Sequence, residues 1–163
     1  MLTNLAPIAE LYVSHENVQN FKMEAASLTS WDLTPRQICD IELLMNGGFS
    51  PLKGFMSEED YNGVVDNIRL ADGTLWPIPI NLDVSEEFAK PLQIGQGIAL
   101  RDLEGVILAI LTVSDKWTPN KAKEAKKVYG VDDVEGQQSH ESDPEGGRLH
   151  LQEISATAAC RYR

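Results

Sequence analysis

Cysteine and histidine are scarce in this sequence. Cys39 and Cys160 lie far apart, and neither has a second ligand at the spacing of a metal site. Two cysteines also cannot build the disulfide framework that stabilises small secreted domains. The three histidines, His15, His140 and His150, are scattered and lack a partner four residues away. The sequence therefore argues against a metal centre, and we expect no cofactor.

Long apolar runs and positive charge are also in short supply. No run approaches the roughly 18 apolar residues that cross a bilayer, and the N-terminus has no basic stretch followed by an apolar one. The 25 acidic residues outnumber the 14 basic ones, which gives a net charge of −11. A negative field of this size repels phosphate backbones. These features predict a soluble, cytoplasmic protein that contacts neither a membrane nor a nucleic acid.

Motifs that carry chemistry are missing as well. The sequence has no GxxxxGK loop followed by Ser or Thr, no GxGxxG and no GxSxG, so no nucleotide-binding loop or nucleophile elbow is assigned. One basic cluster stands out, formed by Lys121, Lys123, Lys126 and Lys127. Because Glu124 lies among these lysines, a solvated helix face explains the cluster better than a phosphate-binding face does. Residue by residue, the sequence assigns no reaction.

The sequence does contain enough apolar material for one domain, since its 163 residues are 42% hydrophobic. The stretch 31–56 is the most informative part. Thr34 is suited to cap a helix with Pro35 at its first position, and Gln37 is placed to complete a capping box. Cys39 falls inside this helix and is predicted to be a buried thiol. The apolar stripe of the helix consists of Ile38, Ile41, Leu44 and Met45.

This helix should end at Asn-Gly-Gly, 46–48, because these residues tolerate positive φ, and a turn-rich apolar loop follows. The loop yields one candidate interface, formed by Asn46, Phe49, Pro51, Phe55 and Met56. Two interpretations are equally open. Either these residues dock against another domain or subunit, or the large side chains complete the core of this domain.

The remaining patterns predict further helices and strands. Helices should begin near Ser14, Ser57 and Thr118. Strict alternation over 76–84 predicts a strand at the edge of a sheet, because its two prolines cannot donate to a ladder. The runs 98–101 and 106–113 predict a hairpin. The buried face of the helix after Ser57 should consist of Tyr61, Val64, Val65 and Ile68.

Several of these stretches resemble one known family. They are WDLTPRQICDIELL at 31–44, NGGFSPL at 46–52, GFM at 54–56 and RLADGTLWPIPI at 69–80, followed by LDV at 82–84, IALRD at 98–102, KEA at 123–125 and VYG at 128–130. Together they resemble the N-terminal domain of ATP sulfurylases, the sulfate adenylyltransferases. The resemblance implies an α+β fold, a PUA-like β-barrel decorated with helices. It divides the chain into an arm and helix at 1–30, the PUA-like domain at 31–134 and a divergent tail at 135–163, for which no ordered structure is predicted.

In that family a second, larger domain converts ATP and sulfate to adenosine 5'-phosphosulfate and pyrophosphate. Its active site uses a Gln-x-Arg-Asn loop, a His-x-x-His pair and a Gly-Arg-Asp-His segment, and this chain contains none of them. The resemblance therefore implies a scaffold that has no catalytic, cofactor-binding or metal-binding residue and no activity alone. Its expected partner is a catalytic ATP sulfurylase domain or further copies of the chain.

A different interpretation is a stand-alone PUA-like module that binds a small ligand or a protein. RNA binding rests on analogy with other PUA folds only, and the net charge of −11 disfavours it.

Overall fold

The computed structural model describes residues 11–130 and the backbone of residues 148–156. After a 3₁₀ turn at His15–Asn17, the helices of this part of the chain are α1 (Val18–Ser27), α2 (Pro35–Met45), α3 (Glu58–Asn67), α4 (Glu86–Ala89) and α5 (Lys121–Val128). Its strands are β1 (Thr29–Asp32), β2 (Leu82–Asp83), β3 (Gly97–Arg101), β4 (Ile107–Trp117) and β5 (Arg148–Ala156).

The helix starts follow from local capping chemistry. At α2 the Thr34 hydroxyl accepts a hydrogen bond from the Gln37 N–H at 3.3 Å, and the Gln37 side chain accepts one from the Thr34 N–H at 3.0 Å. This reciprocal pair is the predicted capping box. At α3 the Ser57 hydroxyl accepts from the Asp60 N–H at 2.8 Å, so this predicted start is also confirmed. The last helix begins later than predicted, because Asn120 caps it rather than Thr118.

Contacts divide the chain into two units, and the first contains the described residues 11–54, 97–111 and 153–156. In this unit β1 pairs in parallel with β3, with Asp32 opposite Arg101. The Arg101 guanidinium donates to the Asp32 carboxylate at 2.7 and 2.8 Å. Helix α1 packs on β3 through a core that contains Phe21, Ala25, Ala99 and Ile110. Phe21 and Ala25 lie one helical turn apart, so α1 buries them on one face.

The second unit contains the described residues 55–96, 112–130 and 148–152. Its strand β2 pairs antiparallel with β5, with Leu82 opposite Leu149. Helices α3 and α5 pack against each other in this unit. The apolar side chains that are fully buried here include Met56, Val64, Leu82 and Val113.

The strands form a mixed sheet. Within the first unit β3 lies between β1 and β4, and within the second β5 lies between β4 and β2, so the order is β1-β3-β4-β5-β2. The α+β class and the predicted hairpin, now β3 and β4, are confirmed. Among the described residues no ladder joins β1 to β2, so the closure that the implied barrel requires is not seen.

The edge strand predicted over 76–84 is wrong for most of its length, because only Leu82–Asp83 is a strand. Pro77 and Pro79 lack the N–H that a ladder needs. Ile78 is 48% exposed, so the alternation of residue types does not correspond to alternating burial. Residues 76–81 lie outside the sheet, and β2, the part that is a strand, is the last strand in the order and so lies at the sheet edge that the prolines predicted.

The predicted three-part division of the chain stays a prediction, because residues 1–10, 131–147 and 157–163 lie outside the described residues. Of the tail at 135–163, the described part is 148–156, which forms β5. The apolar pattern of this stretch is weak, so no strand was predicted here.

The C-terminus of α3 is unusual. Ile68 was predicted to be buried, but it follows the helix in the left-handed region, with φ of 58°, and is 52% exposed. A β-branched residue rarely adopts this conformation, so the turn is held by its surroundings. The Arg69 N–H folds back to the Gly63 carbonyl at 3.4 Å, and a Cβ on Gly63 would lie 2.6 Å from the Arg69 carbonyl oxygen. Gly63 is therefore required by the close approach of this turn.

We expect Gly63→Ala to lower the free energy of unfolding by about 1 to 2 kcal/mol, although alanine favours helices. The new methyl group would overlap the Arg69 carbonyl oxygen, and the backbone would have to move to relieve the overlap. Urea denaturation followed by circular dichroism measures the change. The matched control is Asn62→Ala on the exposed face of the same helix, which should leave the stability unchanged or raise it. Equal effects of the two substitutions would contradict the steric argument.

Candidate interaction surface

The loop that follows α2 is held by its own backbone. Asn46 ends the helix, and its side-chain oxygen accepts a hydrogen bond from the Gly48 N–H at 2.8 Å. Gly47 has φ of 76°, which lets the chain reverse without strain. The Phe49 N–H then donates back to the Leu43 carbonyl at 3.1 Å, and the Leu52 N–H donates to Phe49 at 2.8 Å. The helix therefore ends at Asn46 and a hydrogen-bonded turn follows it, as the sequence predicted.

The side chains of this loop present a partly apolar surface. Asn46 and Pro51 are exposed, and Phe49 is half-buried. Leu43 is 39% exposed, and its Cδ2 would lie 3.0 Å from a Cβ on Gly48, so it borders the same loop. We call the group Leu43, Asn46, Phe49 and Pro51 the α2 shoulder.

Phe55 and Met56 lie in the second unit and are not part of an exposed surface. They are 2% and 1% exposed. The Met56 N–H donates to the Ile80 carbonyl at 3.0 Å, and the Met56 sulfur accepts from the Ile80 N–H at 3.4 Å. Of the two interpretations that the sequence left open, these two residues fit the core, whereas Asn46 and Pro51 are exposed and Phe49 is half-buried.

Leu43 was missed by the sequence analysis because it falls outside the apolar stripe of α2. The signal was present, since a leucine off the buried stripe of an amphipathic helix points toward solvent. The same geometry corrects Cys39, which was predicted to be buried and is exposed. Cys39 lies one helical turn before Leu43 and two residues after the buried Gln37, which places it away from the core.

Among the described residues, Asp72 is a carboxyl with a shifted pKa, and it lies in a turn. The pKa of the Asp72 carboxyl is lowered from its usual value by hydrogen bonds from the backbone N–H and the side chain of Thr74. Asp72 is fully exposed and caps a turn, which accounts for the shift. Within residues 11–130 and 148–156 no group of three or more His, Cys, Asp or Glu side chains is placed to hold a metal ion. No helix in this part of the chain combines the length and apolar character needed to cross a bilayer.

One amide and three apolar side chains on a rigid turn are suited to contact with another protein surface. They supply neither a nucleophile nor a general acid or base. The fold is that of an α+β domain.

A family model for the PUA-like domain matches residues 4–141. This chain belongs to the PUA-like domain family, in agreement with the fold that the sequence resemblance implied.

The chain is also similar to curated proteins named sulfate adenylyltransferase. The protein from Eremothecium gossypii is 56% identical over 110 residues, which are 68% of this chain and 22% of that protein. The protein from Saccharomyces cerevisiae is 54% identical over 109 residues, 67% of this chain and 21% of that protein. The chain thus spans about a fifth of the length of these relatives. Among solved structures, the chain is similar to a hexameric APS kinase from Thiobacillus denitrificans, with a TM-score of 0.69 and 34% sequence identity. The match covers 93% of this chain and 25% of the kinase chain.

We expect Phe55→Asp to lower the free energy of unfolding by about 4 kcal/mol, because the substitution removes a buried aromatic ring and places a carboxylate in its cavity. Thermal and urea unfolding measure the loss. Leu103→Asp is the control, since Leu103 is 73% exposed and its replacement should change the stability little. A Phe55→Asp protein as stable as the control would mean that this residue is not part of the core.

Proposed function

We propose that this chain is the N-terminal, non-catalytic scaffold domain of a sulfate adenylyltransferase, and that it acts together with a catalytic domain. The observation that carries the proposal is the identity of 50% to 56% with proteins of that name, confined to about a fifth of their length. Two domains of unrelated function rarely share half of their residues over more than 100 positions. The sequence contains none of the three catalytic segments that the resemblance implies for the active domain. We therefore expect no activity from this chain alone.

The α2 shoulder is the surface that we assign to docking. Its backbone is fixed by the end of α2, so little conformational freedom is lost when a partner binds. Its apolar groups, the exposed Leu43 and Pro51 and the half-buried Phe49, would be removed further from water in a complex. The Asn46 side-chain oxygen already accepts a hydrogen bond within the turn, so we expect Asn46 to border the contact rather than to contribute most of the binding energy.

Two further features belong to the same proposal. The sheet closes into the PUA-like barrel that the resemblance implies, and the chain assembles with further copies as well as with a catalytic domain. The similar chain from Thiobacillus denitrificans is described as hexameric, which supports assembly of this kind.

Reconstitution in trans tests the scaffold function. Pyrophosphate release from ATP and sulfate is measured for the pure chain, for a fragment of the Saccharomyces cerevisiae enzyme that lacks the matched fifth, and for the two together. We expect no release by the chain alone and at least a tenfold increase over the fragment when the chain is added. The physical reason is that a catalytic domain deprived of its neighbour leaves apolar surface exposed and loses order at its active site.

The control for this assay is the intact yeast enzyme, which should release pyrophosphate at the same rate with and without the added chain. Release by the chain alone would refute the view that catalysis needs the missing segments. No stimulation and no binding of the fragment would favour a stand-alone binding module instead.

The docking surface is tested separately with Phe49→Asp and Leu43→Asp. Each should weaken binding of the chain to the yeast fragment by about tenfold or more, because a charge replaces an apolar contact. Unfolding free energies should fall much less than for Phe55→Asp, since neither side chain is fully buried. Met23→Asp, which replaces a side chain that is 66% exposed on α1, should leave binding unchanged. If all three variants bind alike, the α2 shoulder is not the docking surface.

A further inference from the structure

Helix α5 buries few apolar side chains. Only Ala125 among its eight residues is buried, while Lys126 and Lys127 are exposed. A helix of this length is not stable by itself in water, so its helical state depends on what it packs against.

Two polar contacts link α5 to α3 within the second unit. The Tyr61 hydroxyl donates to the Glu124 carboxylate at 2.7 Å. The Lys123 ammonium lies 2.7 Å from the Asp66 carboxylate, with both side chains 37% exposed. Tyr61 and Asp66 belong to α3 and are five positions apart, so the two contacts hold α5 at two points along that helix. The ion pair between Lys123 and Asp66 is weakened by salt, because dissolved ions screen the attraction between two partly exposed charges.

Beneath these contacts lies an aromatic pair. The rings of Tyr61 and Trp117 are 4.3 Å apart between centroids, with planes inclined at 45°. Tyr61 is 2% exposed. The indole N–H of Trp117 is buried and has no hydrogen-bond partner among the residues that the structure describes, which destabilises the closed arrangement relative to one in which water reaches the indole.

From this arrangement we propose that α5 is a salt-sensitive latch. It opens by leaving α3 and losing its helical structure as one unit, while α3 and β4 stay folded, and it thereby exposes the Tyr61–Trp117 pair. Weak apolar anchorage and the unsatisfied indole favour opening, and the contacts of Lys123 and Glu124 oppose it. This inference is independent of the proposed function, because it concerns the chain by itself.

Native-state hydrogen exchange of the full chain, followed by mass spectrometry at 20 mM and 500 mM NaCl, tests the latch. Amides of α5 should exchange faster at high salt, whereas amides of α3 and β4 should not. Tyr61→Phe should accelerate exchange in α5 by about tenfold and Lys123→Ala by about threefold at low salt. Lys123→Ala should also reduce the response to salt, since the screened ion pair is gone.

Matched variants separate the latch from general effects. Lys127→Ala removes a lysine from the same helix without touching either contact, and it should change exchange in α5 little. Asp32→Asn breaks the Asp32–Arg101 pair in the first unit and should leave α5 unaffected. Quenching of tryptophan fluorescence by acrylamide adds a second readout. The Trp117→Phe variant reports the signal of the other two tryptophans, which is subtracted from that of the unaltered chain. Trp117 should become more accessible at high salt.

Three results would overturn the proposal. Exchange of α5 at the same rate as α3 and β4 would mean that the second unit opens as a whole. Equal acceleration by Lys127→Ala and Lys123→Ala would assign the effect to helix charge rather than to the contact with Asp66. Exchange and quenching that do not respond to salt would show that ionic contacts do not set the opening.

Discussion

The reciprocal hydrogen bonds between Thr34 and Gln37 are the constraint on which the α2 shoulder depends. They fix the residue at which α2 begins, and a helix with a fixed start has a fixed phase. That phase sends Ile41, Leu44 and Met45 into the core and leaves Leu43 at the surface. Gln37 itself is 3% exposed, so its two hydrogen bonds are made where water competes least.

The other end of α2 completes the constraint. Asn46 and Gly47 reverse the chain within one turn, and the Phe49 N–H returns to the helix. Because both ends are fixed by short-range interactions, the loop does not need a partner in order to adopt its shape. A surface whose backbone is already ordered loses little conformational entropy when another protein binds to it.

The same distinction between short-range and long-range interactions explains what the sequence could predict. The starts of α2 and α3 depend on side chains three residues from the backbone groups they satisfy, so Thr34 and Ser57 were read correctly from spacing. The strand at 76–84 failed because alternation records only residue type, while pairing requires donors that Pro77 and Pro79 lack. The apolar pattern of strand β5 is weak, and the antiparallel register of Leu82 with Leu149 joins residues too distant in sequence for a local pattern to reveal.

Errors at single residues have an equally physical origin. Apolar spacing predicts which side chains could share a face, but not where the backbone leaves the helix. Ile68 continues the apolar spacing of α3, yet the turn against Gly63 rotates it into solvent. Within the candidate interface, Phe49 and Phe55 are similar in sequence context, and only the burial of Phe55 separates a core residue from a surface one.

Helix α5 is the element for which local information is least sufficient. Its contacts with α3 bridge 57 and 63 positions of sequence, and a cap at Asn120 provides its local support. At physiological ionic strength the Debye length is about 8 Å, so an ion pair that is one-third exposed, such as Lys123–Asp66, is partly screened. On a chain with a net charge of −11, added salt also relieves repulsion among the acidic residues, which stabilises the compact state. Salt therefore stabilises the fold as a whole, because it screens repulsion among the acidic residues. It destabilises the packing of α5, because it also screens the attraction between Lys123 and Asp66.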